Sequence, residues 1–129
     1  ARDAMIARFE SLGTSSSAED ASRLLLLTTQ QEFPVLGEDG ALRGMVTRDG
    51  LIRALAEQGP ETPVSRFMVG EPPEAAPEDA LESVMDAIAR SPSRTVSIRD
   101  RAGRFLGYVS RENLAELFMV REARGAAEA

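Results

Sequence analysis

Apolar residues in this chain come in short bursts that alternate between two spacings. Glu32-Phe-Pro-Val-Leu36 and Arg94-Thr-Val-Ser-Ile98 are compact runs with β-branched or aromatic residues, the composition of a strand. Each is followed by a turn that ends in glycine, Gly37–Gly40 and Asp100–Gly103. A second run follows each turn, Ala41–Thr47 and Arg104–Ser110, so each pair reads as a hairpin. Helices are expected before the hairpins, over Ala18–Gln30 and Leu81–Arg90, and after them, over Arg48–Glu57 and Arg111–Arg121. Ser17, Thr47 and Ser110 stand where N-caps belong, with Asp20 in the first turn behind Ser17; Ala80 holds the remaining cap position and is a poorer one. Short extended stretches, Glu10–Gly13 and Glu74–Ala76, precede the first helix of each half.

The two halves repeat each other at an offset of 63 residues. Met5 falls on Met68, Glu19 on Glu82, Gly40 on Gly103, Gly44 on Gly107, Val46 on Val109, Arg48 on Arg111 and Leu51 on Leu114. The register holds without a gap and carries both turn glycines and both hairpin-to-helix caps. The chain is therefore expected to be an α/β (α+β) protein of two β-α-β-β-α repeats, 1–60 and 61–122, joined near Gly59-Pro60. Residues 123–129 hold no large apolar side chain and are expected to be a disordered tail. Gly40 and Gly103 read as turn glycines, and Gly44 and Gly107 as strand positions where another backbone comes close.

Composition narrows the chemistry. The 129 residues suffice for one domain or two small lobes. There is no Cys and no His, which removes thiolate nucleophiles, Ser–His triads and the commonest metal ligands. The net charge is −6, against a nucleic-acid partner. The five carboxylates of Glu71–Glu82 have no such companions and read as solvated rather than metal-binding. No apolar run is long enough to cross a bilayer. The first residue is Ala, not Met, and an excised piece of a longer chain is expected. Leu24-Leu25-Leu26-Leu27 wraps a full helical turn and cannot face one side only. The same holds for Leu114, Leu117, Phe118, Met119 and Val120, so a homodimer through these faces is expected.

Phe33-Pro-Val-Leu36, Gly40 and Gly44-Met-Val-Thr-Arg-Asp-Gly-Leu-Ile52 carry a resemblance that the second half repeats in Val96-Ser-Ile98, Gly103 and Gly107-Tyr-Val-Ser-Arg-Glu-Asn-Leu114. The chain resembles a tandem pair of CBS domains, the Bateman module, over nearly its whole length. The resemblance implies two repeats packed with pseudo-two-fold symmetry, a regulatory rather than catalytic role, and dimers through the helices. Asp3–Leu12, Thr28–Val35 and Glu112–Arg121 also resemble the C-terminal CBS pair of bacterial site-2-type intramembrane zinc proteases. That implies a cytosolic (cytoplasmic) appendage of a membrane metalloprotease whose catalytic motif is absent here.

CBS pairs bind adenosine nucleotides, so the resemblance implies AMP, ADP or ATP as a regulatory ligand. A Thr or Ser at the strand end caps the next helix, whose N–H groups and dipole suit a phosphate. In the family an Asp three residues later accepts the ribose hydroxyls. Here Thr47 is followed at that spacing by Gly50, while Asp49 lies one position early, about 100° around the helix. Ser110 is followed by Asn113, a neutral acceptor, so the competent site is expected at Ser110 and Asn113. Arg48 and Arg111 are candidate phosphate contacts, and Arg94, before the strand, is placed to face the cleft. Pro34 and Val96 are candidate apolar contacts. Thr47 and Ser110 also read as plain helix caps, and a dimerisation module with non-binding sites is the alternative function.

Overall fold

The computed structural model describes residues 1–128. Four helices, seven short strands and two 3-10 turns form two compact units. One is contiguous, Arg8–Pro72; the other combines Ala1–Ala7 with Pro73–Ala129, of which residue 129 lies outside the described residues.

In the contiguous unit the sheet order is β1-β2-β3-β4, with β1 (Leu12–Gly13) parallel to β2 (Glu32–Leu36) and β3 (Leu42–Thr47) antiparallel to its neighbours β2 and β4 (Val69–Gly70). Helices α1 (Ala18–Leu27) and α2 (Arg48–Glu57) pack against each other. Alternation puts Phe33, Val35 and Val46 on the core face, where they meet Ala18 and Ala21 of α1 and Leu51 of α2. Leu24 and Leu25 pack against this core, while Leu26 and Leu27 are 84% and 81% exposed.

Helix α1 starts with a reciprocal cap. The Ser17 hydroxyl accepts from the Asp20 N–H at 3.1 Å, and the Asp20 carboxylate accepts from the Ser17 N–H at 3.0 Å. The Ser17 N–H donated to the carboxylate, and after it the Ser17 hydroxyl beside it, hold the Asp20 carboxyl below its usual value. The helix ends at Leu27, three residues before the expected Gln30. Thr28 turns extended and its hydroxyl donates to the Leu24 carbonyl at 2.7 Å. Gln30 acts as a clamp instead. Its Nε2 donates to the carbonyls of Glu10 (2.8 Å) and Glu32 (2.9 Å), and its Oε1 accepts from the Glu10 N–H at 2.9 Å.

The second unit repeats the plan. Strand β5 (Glu74–Ala75) runs parallel to β6 (Thr95–Arg99), and β6 antiparallel to β7 (Phe105–Ser110). Helices α3 (Leu81–Arg90) and α4 (Arg111–Glu128) cover one face, with Val84, Ile88, Val96, Ile98, Val109 and Leu114 in the core. Ala80 caps α3 without a side-chain hydrogen bond. Helix α4 continues through 123–128, where a disordered tail was expected; residues 118–127 are all exposed, and Arg121 ties that stretch to Asp3 at 3.1 Å.

The first seven residues, Ala1–Ala7, join this second unit. Ile6 and Tyr108 exchange two backbone hydrogen bonds at the free edge of β7, 2.8 and 3.2 Å. Their repeat counterparts, Val69 and Met45, pair in the other unit as β4 on β3. Gly107 and Gly44 make both approaches possible: a Cβ on Gly107 would overlap the Ile6 carbonyl oxygen, and one on Gly44 the Val69 carbonyl oxygen. The turn glycines Gly40 and Gly103 have φ of 81° and 85°, conformations only glycine adopts freely.

Candidate functional site

Each hairpin-to-helix junction presents the first turn of a helix beside the end of a strand. In the contiguous unit Thr47 ends β3 and caps α2, its hydroxyl accepting from the Gly50 N–H at 3.1 Å. Arg48 is exposed and its guanidinium stands 3.4 Å from the Asp49 carboxylate, whose side chain is 83% exposed. An ion pair this open is worth little, roughly 0–1 kcal/mol, and leaves the guanidinium accessible. Pro34 pairs in register with Met45, and Glu32 with Thr47, so Pro34 and Thr47 share the sheet face opposite the core. Gly50 has no side chain to offer, so this junction carries a hydroxyl, an arginine and a buried proline but no fixed acceptor.

The junction at α4 is better equipped. Ser110 is buried and caps the helix, accepting from the Asn113 N–H at 3.0 Å. Asn113 is half-buried, and its Nδ2 donates to the Ala4 carbonyl at 2.7 Å. That bond fixes the amide orientation and leaves Oδ1 as the acceptor end. Arg111 is exposed, with Glu112 3.7 Å away, and its N–H donates to the Arg94 carbonyl at 3.1 Å. Arg94 adopts φ 58°, a left-handed conformation unusual for a residue with a side chain, and is exposed. The structure thus brings Arg94, Ser110, Arg111 and Asn113 together around one helix start.

Val96 lies elsewhere. It pairs with Val109 and is fully buried in the core, so its side chain faces away from Ser110. The residues on the Ser110 face of β6 are Thr95, opposite Ser110, and Ser97, opposite Tyr108. Both are fully buried. A chain of hydroxyls leads to them: Ser91 and Ser93 stand 3.2 Å apart, and Ser93 and Thr95 2.7 Å apart. The Ser97 hydroxyl donates to the Pro73 carbonyl at 3.3 Å. Hydroxyls so buried need partners, and each of these has one. Reading along one strand missed this face. The repeat carried the signal, since the 63-residue offset sets Pro34 on Ser97 and Phe33 on Val96.

Among the described residues no group of three acidic, His or Cys side chains stands ready for a metal ion. No described helix is long and apolar enough to cross a membrane.

Residues 1–57 match the model of the CBS domain. Solved structures share the fold over nearly the whole chain. CBSX2 from Arabidopsis thaliana superposes with a TM-score of 0.78 at 20% identity, covering 95% of each chain. CBSX2 in complex with AMP gives 0.75 at 21% identity, over 94% of this chain and 96% of that one. The CBS domain pair of protein MJ0100, in complex with 5′-methylthioadenosine and S-adenosyl-L-methionine, gives 0.78 at 21% identity, over 93% and 95%. Among curated proteins none is significantly similar in sequence. The chain has the mixed α+β fold of a CBS-domain pair, with two small sheets and four helices.

Proposed function

We propose that the chain is a regulatory, non-catalytic module that senses an adenosine-type nucleotide at the start of α4. The observation that carries this reading is Asn113. Standing three residues after a buried Ser cap, its Nδ2 is engaged by Ala4, which leaves Oδ1 as the acceptor for a ribose hydroxyl. Arg94 and Arg111 beside it supply charge for a phosphate. The α2 junction, with Gly50, is the weaker of the two. Two charge-assisted hydrogen bonds at ~1.5–3 kcal/mol each are missing there, roughly two to four powers of ten in affinity. The adenosine ligands held by CBSX2 and by the MJ0100 pair support the ligand class.

The module would serve a larger parent chain, and the resemblance of Asp3–Leu12, Thr28–Val35 and Glu112–Arg121 supports a cytosolic position on a membrane metalloprotease. It would act as a homodimer, for which the bare Leu26, Leu27 and Met119 side chains speak. A second reading, a dimerisation module with non-binding sites, is favoured by Gly50 alone.

A thermal-shift screen against AMP, ADP, ATP and S-adenosylmethionine separates the two. A ligand at about 100 times its Kd stabilises by about 2.7 kcal/mol, several degrees in Tm for a domain this size. Asn113→Ala should weaken that ligand about tenfold, the loss of one hydrogen bond. No shift at millimolar concentration of any of the four would leave the dimerisation reading.

A further inference from the structure

The two opening segments that complete the sheet edges are held in different ways. In the contiguous unit the segment Val64–Gly70 is anchored by burial. Val64 is fully buried, Phe67 and Met68 pack on the core, and Val69 and Gly70 form a strand on β3. Its repeat counterpart is Ala1–Ala7, where Ala1 stands for Val64 and Ala4 for Phe67. Two large apolar side chains are thus replaced by methyl groups, so that Ala4 is buried and Ala1 and Met5 pack on the core with far less apolar area. The paired strand is replaced by a bridge at Ile6, with bonds from the Ala1 and Arg2 nitrogens to the Asp79 and Pro77 carbonyls. Side chains of α4 make up the difference. Asn113 Nδ2 donates to the Ala4 carbonyl at 2.7 Å, and the Arg121 guanidinium meets the Asp3 carboxylate at 3.1 Å, both ends of that pair about half exposed or more. The other segment has no such latch, because the counterpart of Asn113 is Gly50.

We propose that Ala1–Ala7 is a detachable strap, latched to α4 by Asn113, that opens while the rest of its unit stays folded. Apolar burial is lost only on unfolding of the core, whereas a polar latch exchanges its partners for water one at a time. Opening strips the Tyr108 N–H and carbonyl of their partners at the edge of β7 and frees the Asn113 amide to rotate. The strap therefore couples the chain's first residues to the geometry of the α4 helix start. This device stands whether or not a nucleotide binds there.

Amide hydrogen exchange on the whole chain tests it without any ligand. The Ile6 and Tyr108 amides should exchange well ahead of Val96 and Val109 in the β6–β7 ladder. In Asn113→Ala the Ile6 and Tyr108 rates should rise about tenfold more, with Val96 and Val109 unmoved. Arg121→Ala, at an exposed site that cannot unfold the core, should raise them roughly two- to fivefold. Exchange of Ile6 in step with Val109 would overturn the proposal, as would Ile6 rates indifferent to both substitutions.

Discussion

Individual residues divide into those whose role is set by the backbone around them and those whose role depends on a distant partner. Gly44 and Gly107 belong to the first kind, and their repetition in a strand context already pointed to a close backbone neighbour. Gly44→Ala should destabilise by about 1–3 kcal/mol, since the β4 backbone at Val69 and the core-packed Met68 side chain must shift to admit the methyl group. Gly107→Ala should cost less, because the segment it displaces is weakly held; urea midpoints of the two variants give the comparison. Asn113 belongs to the second kind. Its spacing from Ser110 was legible in the sequence, but its bond to Ala4 joins residues 109 positions apart and no local pattern announces it. Val96 shows the same limit from the other side. Its strand was legible, yet which face it occupied was decided by the core beneath α3 and α4, and the repeat register was the clue that mattered.

At the scale of elements, the helices starting at Arg48, Leu81 and Arg111 and the hairpins between them followed from caps, glycine turns and apolar spacing. The end of α1 did not, because the Thr28 hydroxyl and the Gln30 clamp compete with helix propensity and win through contacts with Glu10 and Glu32. The end of α4 did not either, because its last turns have no core to report them. The contrast between α1 and α3 is testable. Ser17→Ala should cost about 1 kcal/mol, and Ala80→Ser should return a similar amount to α3, both by thermal or urea unfolding. The Asp20 half of the cap carries a pH signature. Its carboxyl titrates lower in the folded chain than in the unfolded one, so its contribution is complete above the unfolded value, ~3.9, and is lost as pH falls through the lower folded value. The stability gap between the protein and Asp20→Asn should be present at neutral pH and close in strong acid.

For the molecule as a whole, the homodimer proposed above can be tested at the exposed apolar side chains. Leu26→Glu with Leu27→Glu should halve the mass seen by light scattering while leaving the circular dichroism spectrum intact; an unchanged mass would place the contact elsewhere. The doubling of the fold was plain from the 63-residue repeat, but its compact units were not, because each unit takes its edge segment from outside its own repeat. That arrangement has a kinetic consequence. Arg8–Pro72 is contiguous and can form as soon as it is made, whereas the contacts of Asp3 and Ala4 span 118 and 109 residues. Closing such long loops is slow. On a ribosome, residues 1–7 would emerge ahead of Arg8–Pro72 yet find their place after it, waiting as an unpaired strand until α4 had emerged. Pulse-labelled refolding should show the β2–β3 amides protected in an early phase and Ile6 in the final one.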